Sequence, residues 1–181
     1  MNRVIKDVLF GIIGGIAGTV VVGPVMSALS KLQSDEDKKR EQSLVPEPPT
    51  EKLARKVSRQ ILGIEISDET KATAGHMVHW GYGIFSGGVY GLLRRRVSAV
   101  AWGAGLPFGM AFGLFGSAIM LPLMELTPPA TEFPVSAHAR GLLSHYAYAA
   151  TVEGVCELCE KIDQKVTSEQ PRTKTELRRV S

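Results

Sequence analysis

Residues 75–96, GHMVHWGYGIFSGGVYGLLRRR, decide how this chain is read. Up to Leu93 the stretch has no lysine, arginine, aspartate or glutamate, and it ends on Arg94, Arg95 and Arg96. A helix on the surface of a soluble core keeps a polar stripe for water, and none wide enough is present. The uncharged run starts at Ala72, so Ala72–Leu93 exceeds the roughly 20 residues a helix needs to cross a bilayer. His79, Gly83, Gly87 and Gly91 recur every four residues along one face. In water each such glycine weakens a helix by up to about 1 kcal/mol relative to alanine. In lipid the helix is enforced by its own backbone hydrogen bonds, and glycine is free to serve close helix–helix packing.

Two further runs, Val8–Leu29 and Val97–Met124, are equally free of charge. The chain has 181 residues with 21 Lys and Arg against 18 Asp and Glu, so its net charge of +3 is small. Its mean hydropathy of +0.05 averages very apolar blocks with very polar ones. The charges gather in Lys31–Lys71, in Arg94–Arg96 and after Glu153. Nucleic-acid binding needs a basic face on a folded domain, and charges confined to flanks do not make one. A fourth apolar stretch, Ala139–Leu158, contains Arg140, His145 and Glu153. The expected fold is therefore all-α: an integral membrane four-helix bundle with glycine-rich spans over residues 8–29, 72–93, 97–124 and 139–158. These form one membrane domain, 1–161, followed by a polar, disordered tail over 162–181. The first run is longer than the roughly 7–15 apolar residues of a cleavable signal, so it reads as an uncleaved anchor, with cleavage as the alternative.

Small residues mark packing faces. In the first span these are Gly11, Gly15 and Thr19, and beside them Gly14 and Gly18. In the third they are Ala101, Gly105, Gly109 and Gly113. The arginine turn makes spans two and three a tight hairpin, which should bring their glycine grooves together. Pro107 should kink the third span. Residues 31–49, KLQSDEDKKREQSLVPEPP, mix charges with three prolines and read as an unstructured loop. Behind Thr50 a helix over 52–61 places Leu53, Val57, Ile61 and Ile64 near one face. That is an amphipathic helix, lying on a membrane surface or packed on the protein's own loops. The basic turn at 94–96 and the Lys- and Arg-free loop 126–137 favour both termini in the cytoplasm.

Ionisable residues at membrane depth are functional candidates by default. His76 and His79 share a face, and His145 and Glu153 stand two turns apart on the fourth span. His79 and His145 are candidate ligands of a metal or haem, although two histidines alone do not specify one. His79, His145 and Glu153 with Tyr82 and Tyr148 also trace a possible proton path. The third reading is that the histidines hydrogen-bond across helices and fix the bundle, at about 1 kcal/mol each. Cys156 and Cys159 form a CxxC without a thioredoxin-like strand–helix context, and read as an inert thiol pair. No nucleophile elbow, phosphate loop, zinc-protease or dinucleotide motif occurs, so neither enzymatic activity nor a cofactor is expected.

The order of these pieces resembles the YagU-like family of small bacterial inner-membrane proteins. The matches are the glycine-rich first span followed by Pro48-Pro49, the AlaGlyHis start of the second span with His76 and Trp80, and Leu126–Pro129 after Pro122-Leu123-Met124. The long charged loop and the CxxC depart from that pattern. The resemblance implies a multi-pass protein of the bacterial inner membrane with both termini cytoplasmic, and it carries no catalytic residues over. The role expected from the sequence is a non-enzymatic accessory subunit that sits in the bilayer and binds other membrane proteins or itself, because span one offers more small-residue surface than one bundle needs. The alternative is a proton- or metal-handling protein using the intramembrane histidines and Glu153.

Overall fold

A computed structural model describes residues 2–169, and every regular element in them is helical. The order is α1 (Arg3–Ser30), α2 (Asp35–Leu44), α3 (Pro49–Val57), α4 (Asp68–Arg94), α5 (Ser98–Leu114), α6 (Leu121–Leu123) and α7 (Val135–Glu169). A π-helical turn, Ser58–Leu62, extends α3, and another, Phe115–Met120, joins α5 to α6 in one rod. Asn2 caps α1 by accepting the Val4 amide at 3.0 Å. Arg94 ends α4 and Ser98 begins α5, so the turn is as short as the arginine run requires.

The packing is set by where side chains are missing. α1 runs antiparallel to α4, with Gly11 against Gly87 and Gly91 and Gly15 against Gly83 and Gly87. A Cβ on Gly15 would lie 2.7 Å from the Gly83 carbonyl oxygen, closer than any side chain tolerates. The neighbouring stripe of α1 meets α7, also antiparallel: Gly14 lies on Val152 and Gly18 on the Tyr148 ring. α7 in turn receives α5, with Gly105 at Ala149 and Gly113 at His145. The helices thus alternate in direction, and α1 lies between α4 and α7.

Four expectations are corrected. The glycine grooves of the second and third spans do not meet: α4 turns its groove to α1 and α5 turns its own to α7. Between α4 and α5 aromatic rings fill the space, Tyr82 on Phe112 and Tyr90 on Phe108, each pair 4.9 Å apart. The two small-residue stripes of span one, Gly11–Gly15–Thr19 and Gly14–Gly18, are not surplus, since both are used inside the molecule. Residues 31–49 are not an unstructured loop. Ser34 accepts the Asp37 amide, three acids occupy the first turn of α2, and Arg140 clasps Glu41 and Gln33 from α7. The tail does not begin at 162, because α7 stays helical to Glu169; residues 170–181 lie outside the described residues.

The kink expected at Pro107 takes a definite form. Trp102–Gly105 leave helical geometry, and Gly103, Ala104 and Gly105 all have positive φ. Proline at 107 has no amide to offer the carbonyl four residues earlier, and Tyr146 donates its hydroxyl to that Gly103 oxygen at 3.2 Å.

Two rods, Arg3–Ser30 and Ser98–Leu123, are long and apolar enough to cross a membrane. Only 28% and 11% of their apolar windows are buried, whereas the core helix of a soluble protein is mostly covered. Ile13, Ile16 and Val20 of α1 face outward, as do Leu114, Phe115, Ile119 and Leu123 of the second rod.

Candidate functional site

The densest chemistry lies where α1 begins, α4 ends and α7 runs on. Glu153 is buried on α7 and takes three bonds. Arg94 approaches it as a fork, Nε to Oε2 and Nη2 to Oε1, both at 2.7 Å, and Tyr90 donates its hydroxyl to Oε2 at 2.6 Å. About two turns further along α7, Glu160 binds Arg94 and Arg95 together. Arg95 also pairs with the buried Asp7 at 3.2 Å, and Lys6 holds Asp163 at 2.6 Å. Three helices are thereby tied at one end by ion pairs that share partners. The hydrogen bonds that Arg94 donates to the Glu153 carboxylate raise its pKa above the ordinary arginine value, so it stays charged at every working pH. An open cleft of about 550 Å³ adjoins the cluster, lined by Arg3, Lys6, Asp7, Phe10 and Arg95 among others.

Of the residues singled out from the sequence, only Glu153 belongs to this cluster. His76 and His79 lie exposed on α4. His145 carries its proton on Nδ1, which donates to the Gly141 carbonyl at 2.7 Å, and its ring fills the notch over Gly113 beside Phe112. Tyr148 donates to the Gly83 carbonyl at 2.5 Å, and Tyr82 stacks on Phe112. Among the described residues no hydrogen bond links His79, His145 and Glu153, and no three His, Cys, Asp or Glu side chains converge on a point a metal ion could fill. Cys156 is buried and Cys159 half-buried, and burial raises the Cys159 pKa, which keeps it a thiol.

Arg94, Tyr90 and Asp7 were not singled out from the sequence. The signal was there in part: a lone carboxylate within an apolar span requires a cation, and the three arginines end the adjacent uncharged run. A second polar knot, at the opposite end, joins Arg140 of α7 to Glu41 and to buried Gln33, while Ser136 donates to Asp37 at 2.6 Å.

No curated protein and no solved structure matches the chain. A family model described as a protein of unknown function, DUF1440, matches residues 39–154, from the middle of α2 to the residue after Glu153. That segment is more than half of the chain and holds α4, the α5–α6 rod and the first part of α7, so the chain belongs to the DUF1440 family.

Proposed function

We propose that this chain is a four-span helical protein of a bacterial inner membrane, with both termini cytoplasmic, and that it acts without catalysis by packing against other membrane proteins or copies of itself. The observation that carries the reading is a small-residue face left over on α7. A Cβ at Gly154 would meet nothing within 4 Å, and Ala147, Ala150 and Thr151 share its side of the helix. Small residues facing outward give another helix a backbone to approach. The outward apolar faces of α1 and α5 support the bilayer as solvent, and the arginine turn supports the orientation. Handling of protons or metal by His79, His145 and Glu153 has less to rest on, because Glu153 is already neutralised by Arg94 and His145 is turned back to its own helix.

Native mass spectrometry of the gently extracted protein tests the reading. Foreign subunits or extra copies are expected, and they should be lost in Gly154→Leu, whose side chain has room in the isolated bundle. A bare monomer carrying a metal or haem would overturn it.

A further inference from the structure

At the end of the helices opposite the Arg94–Glu153 cluster, α3 lies across the starts and ends of two uncharged runs. Lys52 Nζ donates to the Leu126 carbonyl at 3.2 Å and Lys56 Nζ to the Met124 carbonyl at 3.0 Å, just where the run Val97–Met124 stops. Glu51 packs on Gly75, close to where the run of α4 starts. In a membrane this is the depth at which acyl chains give way to headgroups. Two surfaces adjoin there. Ile61, Leu62 and Ile64 are 74%, 64% and 58% exposed. Beside them opens a cleft of about 680 Å³, lined by Lys52, Arg55, Lys56 and Arg59, with Glu65 the single acid of its lining. Glu47 engages Arg55 at 2.6 Å and Glu125 lies 3.4 Å from Lys56. Arg59 makes no hydrogen bond or ion pair among the described residues.

We propose that this turn holds the phosphate of an anionic glycerophospholipid, with Arg59 and the flanking lysines around the headgroup and Ile61 and Leu62 among its acyl chains. The proposal rests on the membrane reading above. A guanidinium presents paired donors matched to phosphate oxygens, and basic side chains at this depth reach toward headgroups while their stems stay in the apolar layer. The apolar trio decides the source: a free phosphate would leave these three side chains in water, whereas a lipid covers them.

The test uses the full chain in uncharged detergent, titrated with phosphatidylglycerol, phosphatidylcholine or glycerol 3-phosphate and read by native mass spectrometry. Phosphatidylglycerol is expected to be retained over phosphatidylcholine. Arg59→Gln should weaken phosphatidylglycerol about fivefold, the share of one basic residue near an anionic surface. Ile61→Ser with Leu62→Ser should weaken the lipid and leave glycerol 3-phosphate unchanged. Equal retention of the two lipids, an unaffected Arg59→Gln, or glycerol 3-phosphate bound as well as phosphatidylglycerol would each overturn the proposal. Release of the chain from vesicles by alkaline carbonate would sink the membrane reading with it. A chain that stays embedded but shows no lipid preference would sink this inference alone.

Discussion

Glu153 and Arg94 are the residues on which the bundle's charged end turns. Their side chains are 8% and 10% accessible, so water screens the pair little. Removing one member of a buried pair leaves the other uncompensated, which costs about 3–5 kcal/mol, whereas replacing both is far milder. Arg94→Gln should therefore lower the unfolding midpoint in detergent sharply. Arg94→Gln with Glu153→Gln should recover much of the loss, as a double-mutant cycle on thermal unfolding would read. Additive losses would mean that the pair is not coupled. At this scale the sequence is half legible. That a carboxylate inside an apolar stretch demands a cation follows from physics alone. Which cation answers, 59 residues away, depends on how α4 and α7 are placed, and no local pattern carries that. The histidines stood out for the same reason as Glu153, yet a histidine can satisfy itself on its own helix, as His145 does through the Gly141 carbonyl.

Among the elements, the glycine stripes were legible as faces but not as pairs. Four-residue spacing says that a backbone will come close; it does not say whose. The arginine turn makes α4 and α5 neighbours along the chain, but Tyr82, Tyr90, Phe108 and Phe112 occupy the space between them, and rings of that size hold two helices apart. α1, with two adjacent stripes, instead accepts α4 on one and α7 on the other. α2 was hidden for a different reason: its mixed charges resemble a loop, but Ser34 followed by three acids is a helix start whose signature was readable, and the clasp by Arg140 is tertiary. Gly15→Leu and Gly154→Leu separate packing from propensity, since both make the same change within a helix. The first drives a side chain into the Gly83 carbonyl and the second meets open space. Overpacking against backbone should cost Gly15→Leu about 1–3 kcal/mol, whereas Gly154→Leu, which adds no clash within the bundle, should melt well above it. Equal melting of the two in detergent would contradict the α1–α4 contact.

For the whole molecule, the alternation of direction makes a claim about sides. Lys6 of α1 reaches Asp163 of α7, and Asp7 reaches Arg95 in the α4–α5 turn, so the chain's start, that turn and the far half of α7 share one end. α2 is bound to the start of α7, and α3 to the α5–α6 terminus, at the other end. Composition supports the bilayer most directly for α1 and the α5–α6 rod. α4 and α7 are more polar, and on the proposed reading they cross because they pack antiparallel along these two. If all four cross, single cysteines at Asn2, Arg96 and Lys165 must be reached by an impermeant maleimide from one face of sealed vesicles, and cysteines at Glu36 and Thr131 from the other. The native thiols are first removed by Cys156→Ala and Cys159→Ser. The cluster of Arg94, Arg95 and Arg96 should lie on the cytoplasmic face, because basic residues beside spans are retained there. Labelling of Arg96→Cys and Thr131→Cys from the same side would leave α5 uncrossed, and the bundle would then be a peripheral one with α1 as its sole anchor.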